Sequence, residues 1–339
     1  MARSEITIDL GAVRRNARRL LLELGETELW AVVKADGYGH GAKDVARAAL
    51  DAGAKALCVA TVEEGLRLRP AFPGVRILVM GPTFGDGVAR ARQAGLELAA
   101  LAGDIPDGIP VHVKLDTGMG RFGVPELPVL SKTVVGLMSH LATADTDPAF
   151  AERQLERFRA AAAVYPQLEA HIANSAAALR LPSSRLHAAR CGVALYGLSP
   201  FGTDPAENGL EPALRWESEL AQVKLLAPAE STGYGRSFVA RRPTWIGLVP
   251  VGYADGFRRD LTGAEVLVAG ERNRVVGAVS MDSLAVELAR PLPAGSPVTL
   301  IGGGALAEEL ARVAGTINYE LTCGINTSPE RARRVVVDA

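Results

Sequence analysis

Cysteine is scarce in this sequence. Its 339 residues include three cysteines, Cys58, Cys191 and Cys323, and no two of them form a C-x-x-C pair. A disulfide framework needs an even set of cysteines, and a structural zinc site needs paired ligands. The five histidines also lack the spacing of metal ligands. We therefore expect neither a disulfide framework nor a bound metal.

Long apolar runs and an excess of either charge are also lacking. No run approaches the roughly 18 residues that span a bilayer, and the first residues do not read as a signal peptide. The sequence has 37 Lys and Arg against 38 Asp and Glu, a formal net charge of −1. Such a balance does not favour nucleic acid or an acidic membrane as a partner. We expect a cytoplasmic enzyme that binds neither.

Short apolar segments recur at rather regular distances through the first part of the chain. Most are joined by stretches rich in alanine, arginine and glutamate that are long enough for a helix, such as Ala149–Ala163. Eight such units predict an α/β fold, a TIM-like (β/α)8 barrel. The fourth strand is the least distinct, because its residues would also extend a helix. The predicted strands are Leu29–Ala35, Ala56–Val62, Arg76–Gly81, Glu97–Leu101, Pro110–Asp116, Val134–His140, Glu169–Asn174 and Ala189–Tyr196.

The pattern changes near Asn208–Pro212. Beyond it, short β-type runs are separated by Gly, Pro and Asn, and only Leu306–Val313 has helical spacing. We therefore predict a barrel domain at residues 1–211 and a mostly β C-terminal domain at residues 212–339. A short strand at residues 5–8 and a helix capped by Asp9 precede the barrel strands. The predicted strands of the second domain are Leu220–Leu226, Thr244–Tyr253, Ala264–Ala269, Arg274–Ser280, Leu284–Leu288 and Pro297–Ile301.

Polar residues collect where the predicted barrel strands end. Active sites of such barrels lie at the C-terminal ends of the strands. A salt bridge of Lys114 with Asp116 or another carboxylate, and a plain turn at Gly192, are the structural alternatives to a functional role. The polar residues at these ends are Lys34, Lys114, Asp116, His140, Asn174 and Ser175, and Arg190 opens the eighth strand region.

The segment that contains Lys34 is the most distinctive. Residues 32–41 read V-V-K-A-D-G-Y-G-H-G, which resembles the pyridoxal-phosphate attachment site of bacterial alanine racemases. Further segments resemble the same family, in its order, along almost the whole chain. They are V-K-L-D-T-G-M-G-R-F-G (113–123), G-L-M-S-H-L-A-T-A-D (136–145), H-I-A-N-S-A-A (171–177), A-R-C-G-V-A-L-Y-G (189–197), T-G-Y-G (232–235), V-G-Y-A-D-G-F (251–257), S-M-D (280–282) and I-N-Y-E (317–320).

The resemblance implies pyridoxal 5'-phosphate as the cofactor, bound by Lys34 as a Schiff base. It also implies that Arg121, Met281 and Asp282 bind the substrate, and that Lys114 matches a lysine that is carbamylated in some relatives. The remaining cofactor-binding residues that it implies are Tyr38, His140, Asn174, Ser175, Arg190, Gly192, Val193 and Tyr319.

Arg190 is informative because of its chemistry. The resemblance assigns it to the pyridine nitrogen of the cofactor, where pyridoxal enzymes often have a carboxylate. Arginine keeps its proton and donates to an unprotonated nitrogen. The ring then withdraws electrons less strongly, which suppresses side reactions such as transamination. The α-proton must instead be moved by well-placed bases.

Two bases on opposite faces are needed to invert a stereocentre in this way. The resemblance implies Lys34 for one face and Tyr234 for the other, with a chain from Tyr234 through His140 to Arg190. In the family the two bases meet across a homodimer with shared active sites. The implied reaction is the interconversion of L-alanine and D-alanine, which supplies D-alanine for peptidoglycan.

Three other functions fit parts of the pattern. A broad-specificity or serine racemase differs in pocket size, and one methylene or hydroxyl changes discrimination by only ~1–3 kcal/mol. A decarboxylase of basic amino acids would have a carboxylate in place of Arg190 and a cysteine in place of Tyr234. A pyridoxal-phosphate carrier protein would be a single barrel without the second domain.

Overall fold

The structure is a computed structural model that describes residues 3–339. It divides the chain into two units. The barrel unit comprises Val13–Phe201 and Ala206–Glu211, and the β unit comprises residues 3–12, Gly202–Pro205 and Pro212–Ala339. No helix within residues 3–339 is both long enough and apolar enough to cross a membrane.

The chain begins with strand β1, Ser4–Asp9, which is followed by the helix Leu10–Leu24. The predicted cap of this helix is confirmed, because Asp9 Oδ1 accepts the backbone N–H groups of Gly11 (2.8 Å) and Ala12 (3.2 Å).

The barrel unit contains a closed barrel of eight parallel strands, as predicted. Several strands are buried along their whole length, which is why they are continuous apolar runs in the sequence. The barrel strands are β2 Glu28–Val32, β3 Ala56–Val59, β4 Arg76–Val79, β5 Glu97–Ala100, β6 Val111–Lys114, β7 Val134–Met138, β8 Glu169–His171 and β9 Ala188–Cys191.

The helices of the barrel unit do not follow every strand. Residues 101–110 and 115–133 connect β5 to β6 and β6 to β7 without a helix, so the barrel departs from the regular alternation that the sequence predicts. After the first helix, the α-helices of this unit are Ala42–Asp51, Val62–Leu68, Gly87–Gln93, Pro148–Ala162 and Ser175–Arg180. Short 3-10 turns occupy Arg69–Ala71, Pro182–Ser184 and Val193–Tyr196.

Aromatic and polar rings fill part of the barrel interior. The ring of Trp30 on β2 lies edge-on to the ring of His112 on β6, with centroids 5.6 Å apart. Strands β2 and β6 are on opposite sides of the eight-stranded barrel, so this contact crosses its centre. Apolar side chains such as Val32 and Leu78 pack around Trp30. A barrel interior is more often filled by branched apolar side chains, which makes the buried histidines noteworthy.

The β unit is built on a nine-stranded sheet with the order β11-β14-β17-β16-β15-β18-β10-β1-β19. A separate two-stranded ribbon pairs β12 with β13. The strands are β10 Leu214–Glu219, β11 Gln222–Leu226, β12 Ser231–Thr232, β13 Phe238–Val239, β14 Thr244–Val249, β15 Glu265–Val268, β16 Glu271–Val276, β17 Leu284–Leu288, β18 Pro297–Ile301 and β19 Ala332–Val337. Its helices are Ala307–Val313 and Asn318–Cys323, the second of which the sequence pattern did not predict.

Strand β1 belongs to this sheet rather than to the barrel. It pairs with β10 in antiparallel register (Ile6 with Trp216) and with β19 in parallel register (Ile6 with Arg334). The predicted barrel domain of residues 1–211 therefore differs from the observed division at the start of the chain, because β1 finds its partners more than two hundred residues away.

Candidate active site

Lys34 follows β2 and begins an unusual turn. The next four residues, Ala35, Asp36, Gly37 and Tyr38, all have left-handed backbone, with φ between 48° and 63°. Each non-glycine residue in this region costs about 1–2 kcal/mol, so the turn must be held by its surroundings. The Lys34 amine lies 6.0 Å from the centroid of the Tyr38 ring.

Glu64 is one of the groups that hold this turn. Its Oε1 atom accepts the backbone N–H of Ala35 (2.8 Å), and Oε2 accepts that of Ala60 (2.7 Å). Glu64 also forms a capping box with Thr61 at the start of the helix Val62–Leu68. The sequence T-V-E-E is typical of that box. Nothing in the pattern indicated the bond to Ala35, and Glu64 was not predicted as a site residue.

Tyr38, Ser175 and Gly192 come together beside this turn. A Cβ on Gly192 would lie 2.5 Å from the Tyr38 hydroxyl oxygen, so the hydroxyl fits there only because residue 192 is glycine. The Ser175 hydroxyl accepts the N–H groups of Gly192 (3.1 Å) and Ala194 (3.3 Å) and thereby orders the segment that contains Val193. Two hydroxyls and a close backbone are the groups that bind a phosphate monoester.

Asn174 has a structural role in the same region. Its side-chain oxygen accepts the N–H of Ala177 (3.0 Å) and caps the helix Ser175–Arg180. Its amide nitrogen donates to the carbonyl of Leu141 at 3.5 Å. Asn174 therefore fixes the start of the segment that carries Ser175.

Arg190 lies on β9 with its guanidinium buried. It donates to the carbonyls of Ser139 (2.6 Å) and His171 (3.0 Å), and to Nδ1 of His171 (2.5 Å) and of His140 (3.3 Å). Burial lowers the pKa of Arg190 to about 10, so the group stays charged at neutral pH. Burial, and then the charge of Arg190, hold the pKa of His140 well below its usual value, so His140 is a neutral acceptor.

Lys114 ends β6 and is buried. Burial, followed by the charges of Arg121 and Arg190, lowers the pKa of its amine to about 8. Within residues 3–339, no ion pair joins Lys114 to Asp116, which was one of the structural alternatives. The Asp116 carboxylate instead accepts the N–H groups of its own loop, including that of Met119 (2.9 Å). Arg121 is exposed at the end of this loop.

Tyr234 belongs to the β unit, where its side chain is 74% exposed. It lies between β12 and β13, and its neighbours Gly233 (φ 79°) and Gly235 (φ 66°) have left-handed backbone. The guanidinium of Arg236 donates to the Ser231 hydroxyl (3.2 Å) and closes this turn.

Met281, Asp282 and Tyr319 also belong to the β unit. Met281 is 52% exposed. The Asp282 carboxylate accepts from Arg331 (2.6 Å) and Arg3 (3.2 Å), and the bond from Arg331 is the main reason why its pKa lies below the usual range. Tyr319 is half-buried on the helix Asn318–Cys323.

The predicted residues thus form two groups, one in each unit. The structure brings Tyr38, Ser175, Gly192, Arg190 and His140 to the ends of the barrel strands. The second group lies in the β unit and consists of Tyr234, Met281, Asp282 and Tyr319. Three residues near the site were not indicated by the sequence. Glu64 bonds to the turn after Lys34, His171 bonds to Arg190, and His112 bonds to His171.

Comparison with known proteins assigns the chain to a family. The family model "Alanine racemase, N-terminal domain" matches residues 8–200, and "Alanine racemase, C-terminal domain" matches residues 213–335. An alanine racemase of Lactiplantibacillus plantarum is 39% identical, with 99% of this chain and 98% of the relative covered. The crystal structure of alanine racemase from Streptomyces lavendulae matches with a TM-score of 0.91 at 34% identity, over 100% of this chain and 98% of that one. The Bacillus anthracis alanine racemase with bound L-Ala-P matches with a TM-score of 0.87 at 32% identity, over 99% and 95%. The chain belongs to the alanine racemase family, whose members interconvert L-alanine and D-alanine.

Proposed function

We propose that this protein interconverts L-alanine and D-alanine with pyridoxal 5'-phosphate as its cofactor. One observation carries the proposal: a lysine on a rigid turn, two hydroxyls beside a close glycine, and a buried charged arginine lie at the ends of strands β2, β8 and β9 of one barrel. This donor set suits a carbonyl, a phosphate and a ring nitrogen, which are the three polar parts of that cofactor.

The residues present fit the cofactor. Lys34 would hold it covalently through its amine, and Tyr38, Ser175, Gly192, Val193 and Tyr319 would hold its phosphate. The space that a Cβ at Gly192 would need is taken by the Tyr38 hydroxyl, so the glycine lets that hydroxyl lie close to the backbone beside which the phosphate would bind. Arg190 would donate to the ring nitrogen, since its charge is retained and its other bonds fix its position.

When bound, pyridoxal phosphate withdraws electrons from the amino-acid α-carbon and so makes the α-hydrogen acidic. The amine of Lys34 then takes or returns the α-proton on one face, and the phenol of Tyr234 does so on the other. His140, held neutral beside Arg190, accepts from Arg190 at Nδ1 and so carries its proton on Nε2, from which it can donate a hydrogen bond to the phenol oxygen of Tyr234. Arg121, Met281 and Asp282 bind the substrate.

The substrate is alanine rather than a larger amino acid. A Bacillus anthracis relative binds L-Ala-P in its crystal structure, which supports a pocket for an alanine-sized group. The relatives named alanine racemase favour alanine over serine or a broad range of substrates. We further propose that the protein acts in the cytoplasm as a homodimer with shared active sites and supplies D-alanine for peptidoglycan.

In this proposal Lys114 is carbamylated and therefore carries a negative charge. An amine with a pKa of about 8 is partly neutral near neutral pH, and a neutral amine adds to carbon dioxide. The neutral amine forms one N–C bond as one C–O π bond of carbon dioxide opens, and it releases one proton and leaves a carbamate anion; an ammonium group must first lose a proton of its own. The anion would balance the positive charges of Arg121 and Arg190, which lower the pKa of Lys114.

Chiral product analysis tests this function. The purified protein, with cofactor added, should convert either pure enantiomer of alanine to the racemic mixture and act far more slowly on L-serine and L-lysine. Lys34→Ala should abolish the visible absorbance of the bound cofactor and the activity, whereas Lys43→Ala, at an exposed position of the next helix, should keep both. Faster racemisation of serine than of alanine, or unchanged absorbance in Lys34→Ala, would contradict the proposal.

A further inference from the structure

Four side chains form a buried chain of hydrogen bonds inside the barrel. Arg190 Nη1 contacts His171 Nδ1 at 2.5 Å, His171 Nε2 contacts His112 Nδ1 at 2.9 Å, and His112 Nε2 contacts Glu97 Oε2 at 2.9 Å. Glu97 is the first residue of β5, whereas Arg190 is the third residue of β9. The chain therefore runs from the N-terminal end of a barrel strand toward the site at the opposite end.

The two ends of the chain determine where every proton lies. Arginine can only donate, so His171 Nδ1 must accept. An ionised carboxylate can only accept, so His112 Nε2 must donate. The contact between the two rings is then satisfied in one way only, with His171 Nε2–H donating to His112 Nδ1. Both histidines are thereby neutral and carry their proton on Nε2.

The charges of the end groups support this arrangement. Burial raises the pKa of Glu97, but the hydrogen bonds from His112 and Arg76 and the charge of Arg76 outweigh it, and the net pKa is lowered. Burial, and then the charge of Arg190, hold the pKa of His171 well below its usual value. A second proton on either ring would place two N–H groups against each other at one of the three contacts.

The two histidine rings are enclosed by protein atoms and have no room to turn. His112 and His171 are both fully buried. Trp30 packs against the two rings, with centroid distances of 5.6 and 4.6 Å. A Cβ on Gly136 would lie 2.2 Å from Nδ1 of His112, so the ring occupies the space that a side chain there would need. Buried polar groups enclosed in this way keep the partners that they have.

Glu97 is itself fixed at the far end. Arg76 donates from Nε to Glu97 Oε1 at 3.0 Å and from its terminal nitrogens to Glu169 at 2.8 and 3.0 Å. Glu169 also lies 3.4 Å from His187 Nε2, but among the described contacts its side chain does not bond to His112 or His171. Glu97 is thus the carboxylate of this cluster that faces the chain of rings.

We propose that Glu97 is a positioning residue for Arg190: by fixing the protons of His112 and His171 it holds the guanidinium in the one orientation that donates toward the cofactor. The inference rests on the proposed function only for the last step, the contact of Arg190 with the cofactor. Its first step is the proton pattern of the two rings. That pattern follows from the buried hydrogen bonds alone and is tested separately.

Glu97→Gln is the decisive variant because the amide cannot satisfy both neighbours. If the amide oxygen faces His112, the NH2 group faces the N–H of Arg76. If the NH2 group faces His112, both rings must carry their protons on Nδ1, and that of His171 then faces the N–H of Arg190. Glu169→Gln is the matched control, since it removes a carboxylate from the same Arg76 cluster without touching the rings.

The holoenzyme labelled with 15N-histidine reports the proton pattern by NMR. In the wild type and in Glu169→Gln, His112 and His171 should both show the Nε2–H form. In Glu97→Gln that pattern should be lost, because the charged Arg76 donor holds the amide oxygen on its own side and leaves the NH2 group facing His112. The kcat for alanine should fall by about tenfold or more, with KM changing less, because the bond at stake involves a charged donor.

A double variant separates positioning from general destabilisation. In Arg76→Met/Glu97→Gln the opposing N–H is gone, so the amide oxygen introduced at position 97 can accept from His112. The Nε2–H pattern and most of the lost kcat should return relative to Glu97→Gln, whereas two merely destabilising changes would add. If Glu97→Gln does not fold, the double variant compared with Arg76→Met carries the same test.

Two results would overturn the proposal. One is an unchanged proton pattern in Glu97→Gln, and the other is a kcat equal to that of Glu169→Gln despite an altered pattern. Failure of the proposed function has a different signature, since the wild type would then show the Nε2–H pattern without racemising alanine.

Discussion

A Cβ on Gly192 would lie 2.5 Å from the hydroxyl oxygen of Tyr38 and 2.9 Å from its Cζ atom. The Tyr38 ring also packs against Tyr196, with centroids 4.9 Å apart, so it cannot retreat without losing that contact. We predict that Gly192→Ala displaces Tyr38 and weakens pyridoxal phosphate binding by about tenfold or more, because a hydrogen bond to a charged group contributes about 1.5–3 kcal/mol.

Titration of cofactor-free protein with pyridoxal phosphate, followed by absorbance, measures this affinity. Gly74→Ala is the control, since a Cβ there meets no atom within 4 Å. Equal affinities for the Gly192→Ala and Gly74→Ala variants would show that Tyr38 does not depend on the glycine.

Glu64→Gln tests the support of the left-handed turn. Its two oxygens accept N–H groups from Ala35, Ala60 and Thr61, and an NH2 group in place of either oxygen would oppose an N–H. We expect a loss of about 1–3 kcal/mol in the free energy of unfolding. We also expect a lower affinity for the cofactor, because the turn that carries Lys34 is no longer held rigidly.

Thermal unfolding and cofactor titration measure the two effects of Glu64→Gln. Glu63→Gln is the neighbouring control, since Glu63 is exposed and pairs only with Arg90 among the described contacts. If Glu64→Gln has the same stability and the same cofactor affinity as Glu63→Gln, Glu64 does not support the site.

The proposed carbamate on Lys114 has a defined dependence on pH. The amine is protonated below its pKa of about 8 and neutral above it, so reaction with carbon dioxide should increase as pH rises through this value. Protein equilibrated with 13C-bicarbonate should give a carbamate signal by NMR that grows from pH 7 to pH 9. Lys114→Arg should lose the signal and Lys43→Arg should keep it; a signal that survives Lys114→Arg would belong to another amine.

We predict that the two proposed bases act on opposite faces and come from different subunits. Tyr234→Phe should reduce exchange of the L-alanine α-proton by about 10²–10⁴-fold, the usual contribution of a general base. Mixing inactive Lys34→Ala with inactive Tyr234→Phe, under conditions where subunits exchange, should restore activity, because one site of the mixed dimer has both bases. A mixed dimer that forms without regaining activity would mean that both bases of a site belong to one chain.

Much of the barrel could be predicted because its strands are locally distinct. A segment such as Arg76–Val79 is a short apolar run between turn residues, and the closed barrel confirms it as a strand. Glu97–Ala100 was ambiguous by itself and is a strand because it pairs with β4 and β6 on either side. Tertiary pairing decided what local preference left open.

Contacts between distant residues explain what the sequence did not reveal. Strand β19, with the sequence A-R-R-V-V-V, was missed because its partner β1 lies at the other end of the chain. Lys34 and Arg190 were identified from motifs around them. The bond of Glu64 to Ala35 and the chain from Glu97 to His171 link side chains on different elements, and no local pattern encodes such links.

The position of β1 has a consequence for how the protein is made. The ribosome releases about 5–20 residues per second from the N terminus onward, so the whole barrel segment emerges before β10, and β19 emerges last. Until Leu214–Glu219 has been made, the nascent chain carries the β1 segment without either of its partner strands, and until Ala332–Val337 has been made it lacks the second. A polypeptide that terminates before Ala332 would retain the complete barrel segment but leave β1 as an open sheet edge, a template for association with other chains. Premature termination before Ala332 would therefore yield a product prone to aggregation.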